Sequence, residues 1–299
     1  MALNQIEEEF FRFVYKRQLI WYKRFVLKEK PPWTNDEVLL KYKIINVYRE
    51  LDKCTLYLVN KLKNIKNREK ILINVIFYRF FNQFGLYENL EISLLDKIDT
   101  KYLEMKFSKY KENGLKIFNN AYLISSGKKG SKKHIEILQN LEKIDFKELI
   151  KEVDNSGSLG EASQVLQKIP LVGPFLANEI ITDLTYFDFF RQKWTDNDIF
   201  YIGPGAKWGL EIIYSKKLGE KEQEEKLIYL YNIQDKMLEN INNKVKEPLT
   251  WKEIAYKNAF SHYPFLSLTN IESSLCEFRK YWNIKNGRGR RKYFKPQIL

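Results

Sequence analysis

The chain has 299 residues and carries 51 Lys+Arg against 38 Asp+Glu, a formal net charge of +13 at neutral pH. Its 44% hydrophobic and 15% aromatic content is ample for a packed core, which excludes a wholly disordered chain and a cross-linked mini-domain. Two cysteines (Cys54, Cys276) and two histidines (His134, His262) cannot make a disulfide framework or a CxxC-type metal site, so neither metal nor cofactor is expected.

The N-terminus is acidic before it is basic, with no apolar h-region, and no run of about 18 uncharged apolar residues occurs in the chain. A soluble, cytoplasmic protein follows as the expectation, with an acidic partner: nucleic acid first, a membrane surface second. Phe10, Phe13, Val14, Leu19, Ile20 and Phe25 recur at helical spacing and predict a helix over 7–28, with Arg12, Lys16, Arg17, Lys23 and Arg24 interleaved. It stops before Pro31-Pro32. Thr34-Asn35-Asp36-Glu37 then supplies a cap and a first-turn acid for a helix running to 61. Further helices are predicted over 68–84, 99–125, 135–140, 146–153 and 159–168, with Gly85 and Gly114 at helix ends or turns. A charged helix follows over 220–243 and an amphipathic one over 271–284, while one short strand is predicted near 199–202. The fold class is therefore mainly α. No solenoid repeat or long low-complexity linker interrupts it, and we divide it into 1–125, 126–215 and 216–299, packed as one monomeric body.

Three basic clusters stand out: the first helix, Lys128-Lys129 with Lys132-Lys133, and the glycine-spaced tail Arg288, Arg290, Arg291. Each is either a solvated face or, if they converge, part of a surface for a polynucleotide backbone; Lys207 is counted with them.

The most informative stretch is Ile169-Pro170-Leu171-Val172-Gly173-Pro174, between a helix ending near Lys168 and one beginning at Phe175. It looks like a helix-hairpin-helix, whose backbone amides at Val172 and Gly173 would hold a DNA phosphate. The usual hairpin reads Pro-Gly-x-Gly, and here the first glycine is Leu171. Downstream lie Asp196 and Asp198, placed as the carboxylate that helix-hairpin-helix DNA glycosylases carry after the hairpin; such an acid would stabilise the cationic sugar and orient water. The alternative is that both acids cap the next segment. Gly203-Pro204-Gly205 is either a site of close approach to nucleic acid or a plain turn. No lysine lies between Gly173 and Arg191, so Schiff-base lyase chemistry is not expected.

Several blocks in order carry a narrower resemblance: the stretch from Tyr15 to Arg24, Pro32-Trp33-Thr34, Asn46 to Asp52, Phe80 to Phe84, the hairpin, Asn197-Asp198 with Gly203 to Ala206, and Leu275 to Tyr281. Together they resemble the α-glutamyl/putrescinyl thymine pyrophosphorylase clade, also described as the helical domain attached to hydroxymethyluracil DNA kinases. That resemblance implies a base flipped from the duplex and a pocket built from the matching blocks. Arg17, Arg49 and Asn46 are its polar candidates, although both arginines could instead pair with Glu50, Asp52 or Glu277. Tyr15, Trp21, Tyr22, Trp33 and Tyr48 are candidates for stacking on the base or for the core, and Asp183 is a second pocket acid or a solvated one.

Two functions go with the clade. The first, favoured by the carboxylate after the hairpin, is a monofunctional DNA glycosylase. It would excise a modified pyrimidine such as glucosylated hydroxymethylcytosine from phage DNA, in antiphage defence. The second is transfer of an amine onto pyrophosphorylated hydroxymethyluracil in DNA. No GxxxxGK(S/T) loop occurs in these residues, so a fused kinase is not expected. A DNA-binding module without catalysis is the third possibility.

Overall fold

A computed structural model of the protein describes residues 5–119, 132–187, 193–198, 201–257, 263–289 and 292–294. Among the described residues the fold is mainly helical, with no strand and one isolated bridge between Tyr42 and Tyr293. Half of the strand predicted over 199–202 lies outside them. No helix among them is long and apolar enough to cross a membrane, and no group of three or more His, Cys, Asp or Glu gathers as metal ligands. Contacts divide the chain into two compact units, Met1–Asp52 with Ile202–Leu299, and Lys53–Tyr201. These boundaries differ from cuts at 125 and 215, because the first and last segments of the chain pack on each other.

The first unit opens with α1 (Gln5–Trp21), which buries Phe10, Phe13, Val14 and Leu19. Its rings meet those of the last helix, Phe10 against Phe278 at 5.4 Å and Phe13 against Tyr281 at 5.0 Å. The helix does not continue to 28. A π-helical turn over Tyr22–Val26 follows, with the Leu27 amide on the Tyr22 carbonyl at 3.0 Å, and Lys28 leaves with φ +57°. Asp36 caps α2 (Glu37–Lys41) as predicted, accepting from the amides of Val38 and Leu39 at 3.1 and 3.2 Å.

The predicted helix to 61 breaks after Lys41. Remote groups take the backbone polar atoms that a helix would have paired internally. Lys43 N donates to Lys292 O at 2.8 Å, Arg17 Nε to Ile44 O at 3.0 Å, and Ile45 N to Glu277 Oε2 at 3.1 Å.

The second unit runs through α3 (Lys53–Leu62), α4 (Arg68–Phe81), α5 (Leu86–Leu90), α6 (Thr100–Glu112), α7 (Lys133–Glu142), α8 (Phe146–Asn155), α9 (Leu159–Gln167) and α10 (Pro174–Leu184). Helix α4 is its axis: every residue from Ile71 to Phe81 is buried, and Phe81 meets Phe107 of α6 at 4.6 Å. Asn67, Asp99, Asp145 and Ser158 cap α4, α6, α8 and α9 through their side chains. Gly85 and Gly114 both take φ +72°, the turn role read from the sequence. Asn113 and Gly114 end α6 well before 125, because the chain turns left-handed there.

The chain returns to the first unit with α11 (Pro204–Tyr214), α12 (Glu220–Glu239), α13 (Ile241–Val245), α14 (Trp251–Ile254) and α15 (Leu268–Lys285). Helices α11 and α15 cross very closely. A Cβ on Gly205 would overlap Cys276 Sγ, and one on Gly209 would overlap the Leu275 carbonyl oxygen. The glycine at 205 thus serves a helix crossing, neither of the two roles its sequence suggested.

Candidate functional site

Within the first unit, α1 and its π-turn present Arg17, Trp21 and Arg24 at i, i+4 and i+7, a spacing that puts all three on one helix face. They line a cleft of about 100 Å³ together with Phe25, Trp33, Tyr42, Ile44 and Phe294. Trp33 is held by its indole N–H on Glu29 O at 2.8 Å. The Arg24 guanidinium sits 4.7 Å from the Phe25 ring, 5.3 Å from Trp33 and 5.9 Å from Phe294. Arg17 is fixed by Ile44 O and by Asn46 Oδ1 at 2.6 Å, and Asn46 in turn donates to Leu51 O at 2.9 Å. Loss of solvation lowers the Arg17 pKa to about 10, with Glu277 opposing, so the group stays protonated at neutral pH. Aromatic faces beside two oriented cations suit a planar ring that carries phosphate.

Of the other pocket candidates, Arg17, Trp21 and Asn46 come together, whereas Tyr15 and Arg49 do not join them. The Tyr15 hydroxyl donates to Leu249 O, and burial pushes its pKa up. Arg49 is buried in a 3-10 turn whose amide donates to Asn270 Oδ1 at 2.7 Å. Tyr48 stacks on Trp251 in the same core.

In the second unit, α9 and α10 flank the predicted hairpin. Leu171 adopts φ +71°, the left-handed conformation a glycine would take freely, at a cost of about 1–2 kcal/mol. The departure from Pro-Gly-x-Gly therefore leaves a left-handed residue at that position. Val172 is buried and its amide donates to Ile169 O at 3.1 Å; Gly173 is exposed, with open space where a Cβ would stand.

The two acids after the hairpin differ sharply. Asp198 is exposed and closes its own turn, Oδ2 accepting from Thr195 N at 2.7 Å and Thr195 Oγ1 at 3.2 Å. Asp196 is buried at 5% exposure. Asp183, far from solvated, is fully buried and takes a forked pair of bonds from Arg79, with Oδ1 at 2.6 Å from Nη2. Asn82 and Thr55 accept from the same guanidinium at 3.1 and 2.9 Å. Sequence reading missed Arg79. Its signal was a single charge inside the apolar run from Ile71 to Phe81, which needs buried partners.

The described basic candidates belong to both units. Lys132 is exposed at the N-cap of α7, and Lys133 lies 5.0 Å above the Phe118 ring. Lys207 is half-buried on α11, and Arg288 is exposed after α15. Lys128, Lys129, Arg290 and Arg291 lie outside the described residues.

Comparison with known proteins gives a consistent answer. A family model described as 5-hmdU DNA kinase, helical domain, matches residues 4–290. A 5-hmdU DNA kinase of Bacillus phage SP10 is similar, 25% identical over 293 residues that cover 90% of this chain and 43% of that relative. The chain thus spans less than half of that relative's length. No solved structure matches. These findings overturn the expectation of a monofunctional glycosylase hydrolysing N-glycosidic bonds in antiphage defence: the family and the relative are named for a transferase acting on hydroxymethyluracil. The main argument for hydrolysis was a carboxylate after the hairpin, and of its two candidates Asp198 closes a local turn through Oδ2 while Asp196 is buried.

Proposed function

We infer the function from a premise that the match over residues 4–290 establishes: the chain belongs to the family of 5-hmdU DNA kinase helical domains. On that premise it works on DNA bearing hydroxymethyluracil, and the step it performs is amine transfer onto the base. The substrate is hydroxymethyluracil whose exocyclic oxygen already carries pyrophosphate. A carbon–nitrogen bond forms at the exocyclic carbon, the carbon–oxygen bond breaks, and pyrophosphate leaves with the electron pair. The amine then releases its proton to solvent. The observation that carries this reading is the family match; no GxxxxGK(S/T) loop lies in these residues to suggest phosphoryl transfer from a nucleotide instead.

The cleft supports such a step. Trp21 and Trp33 offer faces to a flipped pyrimidine, and Arg17 and Arg24 offer fixed positive charge to the departing pyrophosphate. The test is to incubate the protein with DNA carrying pyrophosphorylated hydroxymethyluracil and a panel of amines that includes an amino acid and a diamine. The DNA is then digested to nucleosides for mass spectrometry. An amine-bearing nucleoside with stoichiometric pyrophosphate release is the expected product, and Arg24→Ala should slow it about 10- to 100-fold. A wild-type protein that forms no adduct with any amine overturns the reading.

A further inference from the structure

A second concave site lies in the first unit, away from the aromatic cleft, where α11 crosses α15. The Gly205 and Gly209 crossing sets the two helices so close that Trp208, between them in sequence, is left 47% exposed at the edge of the pair. It borders a groove of about 580 Å³ lined also by Glu211, Lys216, Lys217, Arg279 and Asn283. The Arg279 guanidinium stands 4.9 Å from the Trp208 ring, which braces the indole as a flat, fixed platform.

Glu211 is the unusual member. Its side chain is nine-tenths buried, and Oε2 is held by Lys217 at 3.1 Å. Its Oε1 is buried and finds no hydrogen-bond donor among the described residues, and the same holds for Arg279 Nε and an acceptor. A buried carboxylate oxygen without a donor is costly, and groups of this kind are normally satisfied. The groove therefore holds an aromatic plane, an acceptor at depth and three cations near its rim, of which Lys216 is paired with Glu222 at 2.7 Å and Lys217 with Glu211. A small organic cation is disfavoured by those three cations. An anion alone would leave the aromatic plane and the acceptor unused.

We propose that the α11–α15 groove binds a nucleotide unit whose base carries an exocyclic amino group. The base stacks on Trp208 and its amino group donates to Glu211 Oε1. The phosphate meets Lys216, Lys217 and Arg279. The unit comes either from a DNA strand or from a free nucleotide. This site goes beyond the transfer reaction and does not depend on it.

The test titrates the whole protein with single-stranded octamers of dC and dT, and with dCMP and dTMP, reading tryptophan fluorescence and polarisation of labelled strands. Wild type should bind the dC octamer more tightly than the dT octamer, since thymine has no amino group. Trp208→Ala should weaken that binding roughly 5- to 150-fold, the range for loss of one stacked base. Glu211→Met, which keeps the shape and removes the acceptor, should erase the preference for dC. Competition by dCMP at the Trp208-dependent site assigns free nucleotides as a source, and its absence assigns the strand. Either result supports the site. Binding of the dC octamer that is unchanged in both Trp208→Ala and Glu211→Met overturns it, as does a wild type that binds none of the four ligands. No transfer chemistry enters the readout, so a protein that binds here yet transfers no amine loses only the transfer reading.

Discussion

Arg79 and Asp183 are almost wholly enclosed charges, at 1% and 0% side-chain exposure. Taking two charges from water costs several kcal/mol each, and the forked geometry, extra acceptors at Thr55 and Asn82 and the Glu179 carboxylate 3.8 Å from Arg79 offset that cost. Removing one partner leaves the other charged and buried. Asp183→Ala should therefore destabilise the protein by about 3–5 kcal/mol in urea unfolding. The double change Arg79→Met with Asp183→Leu should recover most of the loss, because two apolar side chains need no partner. A single Asp183→Ala variant within about 1 kcal/mol of wild type would show that the pair is not holding the second unit. The same residue scale separates the two glycine-like positions: Gly85 takes its positive φ at no steric cost, whereas Leu171 takes its own against one.

Among elements, the crossing of α11 and α15 is the tightest constraint in the first unit. At Gly205 the opposing atom is the end of a cysteine side chain, which can rotate away. At Gly209 it is the Leu275 carbonyl oxygen, which is part of a helix backbone and cannot. Gly209→Ala should accordingly cost about 1–3 kcal/mol by forcing the helices apart, more than Gly205→Ala, as read from denaturant midpoints at constant slope. Equal effects at the two positions would contradict the backbone argument. The aromatic cleft depends on a different kind of element, the extended segment after α2. Arg17, Glu277 and Lys292 hold that segment out of the helix its local pattern favours.

At the scale of the molecule, the charge of +13 makes salt dependence the signature of DNA binding. Part of the tail is tied to the first unit, however. Lys292 and Phe294 exchange backbone bonds with Lys43 and Lys41 at 2.8 and 2.9 Å, and Phe294 lines the cleft. Truncation from Asn286 would therefore remove a wall of the site along with the charge. The cleaner variant converts Arg288, Arg290 and Arg291 to Gln. It should lower the slope of log affinity against log salt by up to about 0.9 for each duplex phosphate that is no longer neutralised, while leaving the amine-transfer product unchanged. An unaltered slope would mean that these arginines neutralise no phosphate.

Much of this protein was legible in its residues. Periodicity located most of the long helices, though not α11, Asp36 announced its cap, and Gly85 and Gly114 their turns, because each rests on local backbone geometry that a short window contains. The blocks from Tyr15 to Arg24 and at Trp33 pointed to the family, and Arg17, Trp21 and Trp33 do share a cleft. What the sequence could not hold was decided by distant partners. The helix predicted to 61 breaks because its backbone finds acceptors and donors on α1, α15 and the tail. Asp183 is no surface acid because Arg79 lies 104 residues away in sequence and in contact in space. Trp208 and Glu211 acquire meaning only where α15 brings Arg279 across them. Local rules act through bonds within a few residues, whereas burial and charge pairing act through space, and only the folded chain states which residues are neighbours there.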